Sequence, residues 1–236
     1  MTSIDIKKVQ QALINAGYSV GKTGADGIFG RDTIKGLKAF QSAMGLDIQY
    51  PGTIGPKTLR ALGLIDDSTP IQNTIITPPW ITEGLRKLGL HEKADNKKLR
   101  EYLKSDGQTL GDPAQLPWCG DFIETIIALT LPKESLPTNP YWAANWLKFG
   151  KSLPIDEFYK GAIGVKKREG GNHVFTIVGH DKLNVHALGG NQSNSISIVK
   201  IPKKQITGMR WPNTYPMPLA EMPYTDFNGK MAGSEA

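Results

Sequence analysis

Gly27-Ile28-Phe29-Gly30-Arg31-Asp32-Thr33-Ile34-Lys35-Gly36-Leu37 returns 25 residues later as Gly52-Thr53-Ile54-Gly55-Pro56-Lys57-Thr58-Leu59-Arg60-Ala61-Leu62. Both copies fit G-x-[IF]-G-x-x-T-x-x-x-L, and five matching positions at one offset mark an internal repeat. Each copy must therefore build the same small unit. The Gly-x-Phe/Ile-Gly turn tucks one apolar side chain beneath it, and a helix opens after the second glycine. Thr then falls in the first helical turn and Leu on the buried face, and Pro56 suits a helix start. Ahead of the first copy, Ile4–Ala16 carries Ile6, Val9, Leu13 and Ala16 near one face, which predicts a helix. Residues 1–64 are expected to fold as a small all-α module.

Val9-Gln10-Gln11-Ala12-Leu13, Asp26-Gly27-Ile28-Phe29-Gly30, Ala39-Phe40-Gln41 and Gly45-Leu46 together resemble a known module. It is the three-helix peptidoglycan-binding domain that accompanies many cell-wall hydrolases. The resemblance covers residues 4–64 and implies peptidoglycan as the partner. Nearly all of the motif residues have turn or core work to do. A glycan groove needs exposed polar and aromatic groups, for which Asp26, Arg31, Gln41 and Tyr50 are the candidates.

A chain of 236 residues has room for a second domain beyond this module. Its 39% hydrophobic and 21% charged residues describe a globular protein, and no apolar run is long enough to span a bilayer. The start MTSIDIKKVQQ lacks the apolar core of a signal peptide. A single cysteine excludes a disulfide framework and the usual structural zinc sites. The net charge of +6 fits a cell wall, an anionic membrane surface or a nucleic acid. With no basic-aromatic motif, nucleic acid ranks last. Residues 65–79, Ile65-Asp66-Asp67-Ser68-Thr69-Pro70 through Thr77-Pro78-Pro79, read as an extended linker. Such a tether raises the effective concentration of whatever follows it at an insoluble substrate.

Residues 80–212 begin as helices, Trp80–Leu88 and Asn96–Lys104, and then deliver the chain to Leu116-Pro117-Trp118-Cys119-Gly120-Asp121-Phe122. Apolar residues at Phe122, Ile123, Ile126, Ile127 and Leu131 have the period of a helix with one buried face. Pro117 places its start at Trp118 or Cys119. A lone cysteine is ordinarily a small buried hydrophobe. At a helix N-terminus, though, outward-pointing N–H groups favour the thiolate, the form a nucleophile needs. The aromatic stretch Asn139–Leu147 reads as a further helix whose tryptophans belong to the core. Short β-rich runs follow at Gly161–Val165, His173–Val178, Val185–Leu188 and Ser195–Ile201, with Lys166–Asn172 as a polar turn. Helices followed by an antiparallel meander give an α+β domain with helices packed on the sheet. His173 opens its strand and shares a face with Phe175 and Ile177. If that face meets the cysteine helix, His173 and Cys119 form a couple. Residues 213–236 are expected to be a surface tail.

Trp80, Pro117-Trp118-Cys119-Gly120, Tyr141-Trp142, Trp146, His173-Val174, Leu188-Gly189-Gly190-Asn191-Gln192 and Gly208-Met209-Arg210-Trp211-Pro212 occur in an order that resembles the CHAP family. Its members are papain-like cysteine, histidine-dependent amidohydrolases and peptidases that cut peptidoglycan. The resemblance implies Cys119 as nucleophile, His173 as base, a thioester intermediate, and no metal or cofactor. It points to Asn191 as the third residue, while related papain-like wall peptidases point to His186. Gly189-Gly190 interrupts the alternation, so phase does not choose between them. Gln115 and Trp118 are further substrate-binding candidates. The chain departs from the family at Gly161-Ala162-Ile163, where Gly-Asp-Ile is usual, and at Asn172, where Gly is usual. Two other classes stand beside this reading. One is a zinc-dependent wall hydrolase, for which four histidines and no H-E-x-x-H make a thin case. The other is a non-catalytic wall-binding or virion structural protein. The architecture resembles a monomeric phage endolysin, held in the host cytoplasm until lysis.

Overall fold

The computed structural model describes residues 6–27, 31–48, 51–52, 54–66, 77–218, 221–222 and 224–225. Tyr50, the side chain of Arg31, most of the linker (67–76) and the last residues (226–236) lie outside the described set. The chain divides into two compact units, Met1–Thr82 with Pro218–Ala220, and Glu83–Met217 with Glu221–Ala236.

The first unit contains α1 (Ile6–Asn15), α2 (Arg31–Ala43) and α3 (Pro56–Ala61). Their apolar faces meet in a core of Val9, Leu13, Val20, Leu37, Phe40, Ile54 and Leu59. All three helices stop in the same way, because glycine alone enters the left-handed region without strain. Gly17, Gly45 and Gly63 have φ of 85°, 60° and 68°. The amides of Tyr18, Leu46 and Leu64, one residue further on, close back onto the carbonyls of Leu13, Gln41 and Leu59.

The repeat is also visible as a pair of matching clamps. Gln10 Oε1 accepts from the amide of Gly27 at 2.7 Å, and its Nε2 donates to Thr33 Oγ1 at 3.0 Å. Gln41 Oε1 accepts from Gly52 at 2.7 Å, and its Nε2 donates to Thr58 Oγ1 at 2.9 Å. Each glutamine ties the repeat's glycine to its threonine.

α4 (Pro79–Leu85) crosses the boundary between the units. The second unit holds α5 (Asn96–Leu103), α6 (Cys119–Thr130), a short 3-10 helix at Ala143–Lys148, and six strands. The strands are β1 (Lys151–Leu153), β2 (Ile163–Arg168), β3 (Gly171–His180), β4 (Asn184–Gln192), β5 (Ser195–Pro202) and β6 (Ile206–Trp211). They form one antiparallel sheet in the order β1-β6-β2-β3-β4-β5. Helical elements followed by an antiparallel sheet are as the sequence predicted.

The details depart from expectation where polar residues lie inside strands. Lys166, Lys167 and Arg168 belong to β2, and Arg168 pairs with Gly171 across a two-residue turn at Glu169 and Gly170. Gly170 has φ of 74°, a left-handed conformation that glycine takes without strain. β3 therefore starts two residues before His173, which is the third residue of an interior strand and does not open it. At the other hairpin Ser193 and Asn194 both take positive φ (51° and 61°), which closes β4 onto β5 at Gln192↔Ser195. The 139–147 segment is a helix only from Ala143, and of its two tryptophans Trp146 is buried while Trp142 is 63% exposed.

Among the described residues, no helix is long and apolar enough to cross a membrane.

Candidate active site

Cys119 is the first residue of α6 and is buried. Trp118 precedes it as the N-cap and offers no side-chain cap, so the first-turn N–H groups point out of the helix end. The Trp118 indole is anchored instead on Glu92, donating from Nε1 to Oε2 at 3.1 Å. Gly120 follows because nothing larger fits: a Cβ there would collide with the carbonyls of Pro140 and Tyr141. The loop before the 3-10 helix thus lies directly against the start of α6.

α6 lies over β4 and β3 with a definite direction. Gly190 sits under Trp118 and Phe122, at the front of the helix. Further along, Leu188 meets Phe122 and Ile126 around Gly84. The N-terminus of α6 is therefore at the end of the sheet where β3 begins and β4 ends, which is also the end that carries His173. The imidazole itself lies against Gly189, where a Cβ would stand 3.3 Å from Nε2. The helix start and the imidazole consequently meet β4 one residue apart. Leu188 and Gly190 face α6, whereas His173 lies against the intervening glycine. The single flat face expected for His173, Phe175, Ile177 and the helix is not found: α6 lies against Leu188 and Gly190, and the imidazole against Gly189, which alternates with them along β4.

His173 is fully buried, and its ring stacks on Phe175 at 5.9 Å between centroids. Its Nε2 is 3.0 Å from Gln192 Oε1. The amide nitrogen of Gln192 donates to the carbonyls of Ala187 (3.2 Å) and Ser197 (2.6 Å), which fixes the amide's orientation. Oε1 is then the atom that faces the ring, so Nε2 must carry the proton and Nδ1 the lone pair. Burial pushes the imidazole pKa down to about 3; the Gln192 hydrogen bond works against this, while Lys166 and Arg168 add to it. The resting ring is neutral.

Of the two residues expected as the third member, His186 lies elsewhere, and Asn191 stands next to the residue that meets the imidazole. Asn191 takes a left-handed backbone (φ 55°) inside the irregularity between Gly189 and Gln192. That residue breaks the alternation and delivers Gln192, one position later, to the imidazole. His186 pairs with Gly179, six residues along β3 and so about 20 Å from His173. It serves a different cluster, with Nε2 3.5 Å from Asp181 and Nδ1 3.3 Å from Thr225 Oγ1. Gln192 lay within the motif that pointed to Asn191; only the positive φ of Asn191 separates the two.

The remaining candidates divide by exposure. Gln115 is exposed on the turn before Pro117. Asp26 is exposed and is held by Thr23 and Gln10. Gln41 is buried, with its amide engaged inside the module, and does not present a polar group to a glycan.

The polar side of α6 is unusual. Asp121 and Glu124 are both fully buried. Burial raises Asp121 to about 6 despite hydrogen bonds from Leu110 and Thr109. Burial first, and then the Asp106 carboxyl, raises Glu124 to about 9. Among the described residues, no group of three or more His, Cys, Asp or Glu side chains is arranged to hold a metal. His91 and His173 stand apart from the other two histidines: His91 Nδ1 accepts from the amides of Lys93 and Ala94, while His180, whose Nε2 bonds the Met222 carbonyl, shares the Thr225 hydroxyl with His186.

Residues 2–62 match the family model of a putative peptidoglycan binding domain. The chain is 34% identical over 88 residues to a probable N-acetylmuramoyl-L-alanine amidase of Bacillus licheniformis, a stretch covering 37% of this chain and 23% of that protein. It is 40% identical over 60 residues to the N-acetylmuramoyl-L-alanine amidase CwlL of the same organism, covering 25% of this chain and 16% of the relative. The matched stretches thus span less than a quarter of either relative's length.

Proposed function

We propose that the chain is a peptidoglycan hydrolase in which Cys119 attacks an amide carbonyl of the wall peptide and His173 serves as its base. The observation that carries this reading is the orientation of His173. Gln192 orients the imidazole through Nε2, and the ring lies at the end of the sheet where α6 begins.

The chemistry follows from that arrangement. Nδ1 of a neutral imidazole takes the thiol proton as the sulfur adds to the carbonyl, giving a tetrahedral oxyanion. First-turn N–H groups of α6 would stabilise the oxyanion, each contributing about 3 kcal/mol. Collapse to a thioester expels the amine, which His173 protonates, and water then returns the thiol. Gln192 orients the ring and stabilises the imidazolium through its carbonyl oxygen.

The module supports the substrate, because its family is one of peptidoglycan binders. The curated relatives support an amidase acting at the muramoyl–alanine amide. The papain-like, CHAP-like assignment of the second unit, and an endolysin's role in lysis, belong to this proposal. Mass spectrometry of fragments released from purified peptidoglycan by wild type and by Cys119→Ala tests it. New N-terminal alanine with wild type alone is expected, and equal release by the alanine variant would sink the cysteine mechanism.

A further inference from the structure

Trp142 is an exposed tryptophan, outside the core, on the loop that packs against the start of α6. The loop that carries it rests on Gly120, the residue after Cys119, through the carbonyls of Pro140 and Tyr141. Trp142 is the next residue in that loop, and 63% of it is exposed. Its neighbour in sequence, Trp146, shows what a structural tryptophan looks like here. Trp146 is fully buried, packs 5.0 Å from Phe149, and donates from Nε1 to the Pro140 carbonyl at 2.7 Å.

The base under Trp142 is firmly tied. Its amide donates to Asn139 at 3.2 Å, and its carbonyl accepts from Asn145 at 2.9 Å. Asn145 Nδ2 reaches back to the carbonyls of Thr138 (2.8 Å) and Asn139 (3.0 Å). A large apolar ring held in solvent on a rigid loop gains nothing for folding. Pre-organised in this way, it loses little entropy when a ligand covers it. On the other approach to α6, Leu116, three residues before Cys119, is also 40% exposed.

We propose that Trp142 is a stacking platform for a sugar ring of the wall glycan, and that the site therefore cuts the amide joined to the sugar. This rests on the hydrolase reading above and adds the part of the site that would hold the sugar. A pyranose ring presents a flat face of C–H groups that matches an indole face, while its hydroxyls stay in water. Stem-peptide residues are mostly small or charged and offer no such face. Because the indole's loop lies against the residue after the nucleophile, a sugar stacked there is separated from the reacting carbonyl by only a short linker. The amide beside the sugar fits that spacing better than bonds deeper in the stem.

The test uses the full chain and a soluble muropeptide still carrying its disaccharide. Trp142→Ala is expected to raise KM about 10-fold while kcat stays within about 3-fold, and Trp142→Tyr to recover most of the loss. The peptide-free disaccharide should compete with substrate in wild type and about 10-fold more weakly in Trp142→Ala. In Cys119→Ser the disaccharide should alter tryptophan emission, and the change should vanish with Trp142→Phe. Residues 1–64 contain no tryptophan, so the module does not contribute this signal. Equal KM and equal inhibition in Trp142→Ala would overturn the platform. Cleavage only between stem amino acids would overturn it as well, yet leave the Cys–His hydrolase standing. Should Cys119→Ser cleave like wild type, the hydrolase reading falls and the emission titration alone decides the platform.

Discussion

Gln192 Oε1 stands 3.0 Å from His173 Nε2, and the same amide is locked from behind by the carbonyls of Ala187 and Ser197. The imidazole is thereby oriented by a neutral acceptor. Gln192→Ala should lower kcat/KM by about 100-fold, since ring orientation and imidazolium stabilisation are lost together. Asn191→Gly, which keeps the left-handed backbone, should cost far less. Gln192→Glu makes the sharper test. An anion beside the ring favours imidazolium, so the acid limb of the pH–rate profile should move to higher pH. A profile that stays where it was would remove Gln192 from the site.

Cys119 is the only thiol in the chain, so alkylation reports on it alone. Cys119→Ser should reduce turnover of purified peptidoglycan by about 1000-fold or more, and iodoacetamide should do the same to wild type. A chelator should leave the rate unchanged. Loss of activity to the chelator with alkylated protein still active would return the zinc-dependent class to first place.

The parts of this molecule set by one dominant periodicity were legible in the sequence. α6 follows from the helical spacing of Phe122, Ile123, Ile126 and Ile127, although the helix is buried on every side from Cys119 to Ile127 and not on the one face that spacing predicts. The α+β order followed likewise from the change in period after residue 160. What escaped was decided by single residues. Lys166-Lys167-Arg168 look like a turn, but Gly170 tightens the reversal to two residues and leaves the basic run in β2. Asn191 and Gln192 are equally polar, and only the φ of Asn191 selects the second. Gln41 reads as a glycan contact, because no pattern announces a buried amide that closes a distant turn.

Gln10 and Gln41 give the module a measurable symmetry. Gln41 is 2% exposed and bonds both Gly52 and Thr58. Gln41→Leu keeps the volume but strips partners from a backbone amide and a buried hydroxyl, at a cost of about 2–3 kcal/mol. Gln10→Leu should cost a similar amount through Gly27 and Thr33. Gln11→Ala, next door but exposed, should change stability by no more than about 0.5 kcal/mol. Hydrogen exchange read at the amides of Gly27 and Gly52 separates the two clamps. Wild-type protection in both leucine variants would show that the clamps carry no weight.

Buried ionisable groups in the second unit should bend its stability with pH in two opposing directions. Glu124, ordinarily near 4.5, is raised to about 9, by burial first and then by Asp106. The folded chain therefore keeps a proton that the unfolded chain releases, and stability falls as pH rises from about 4.5 to about 9. Asp121, raised to about 6, adds the same sign over a lower and narrower range. His173 acts the other way. It stays neutral when folded down to about 3, whereas the unfolded ring takes a proton below about 6.5, so stability falls on acidification through that window. Burial of His180 and His186 acts in the same direction. Glu124→Gln keeps the shape of the side chain and removes only the ionisation. Urea midpoints measured from pH 5 to 9 should show wild type losing stability on the alkaline side while the glutamine variant stays nearly level. A glutamine variant with the wild-type slope would mean that Glu124 is ionised in the folded protein, and that water or a cation reaches the polar side of α6.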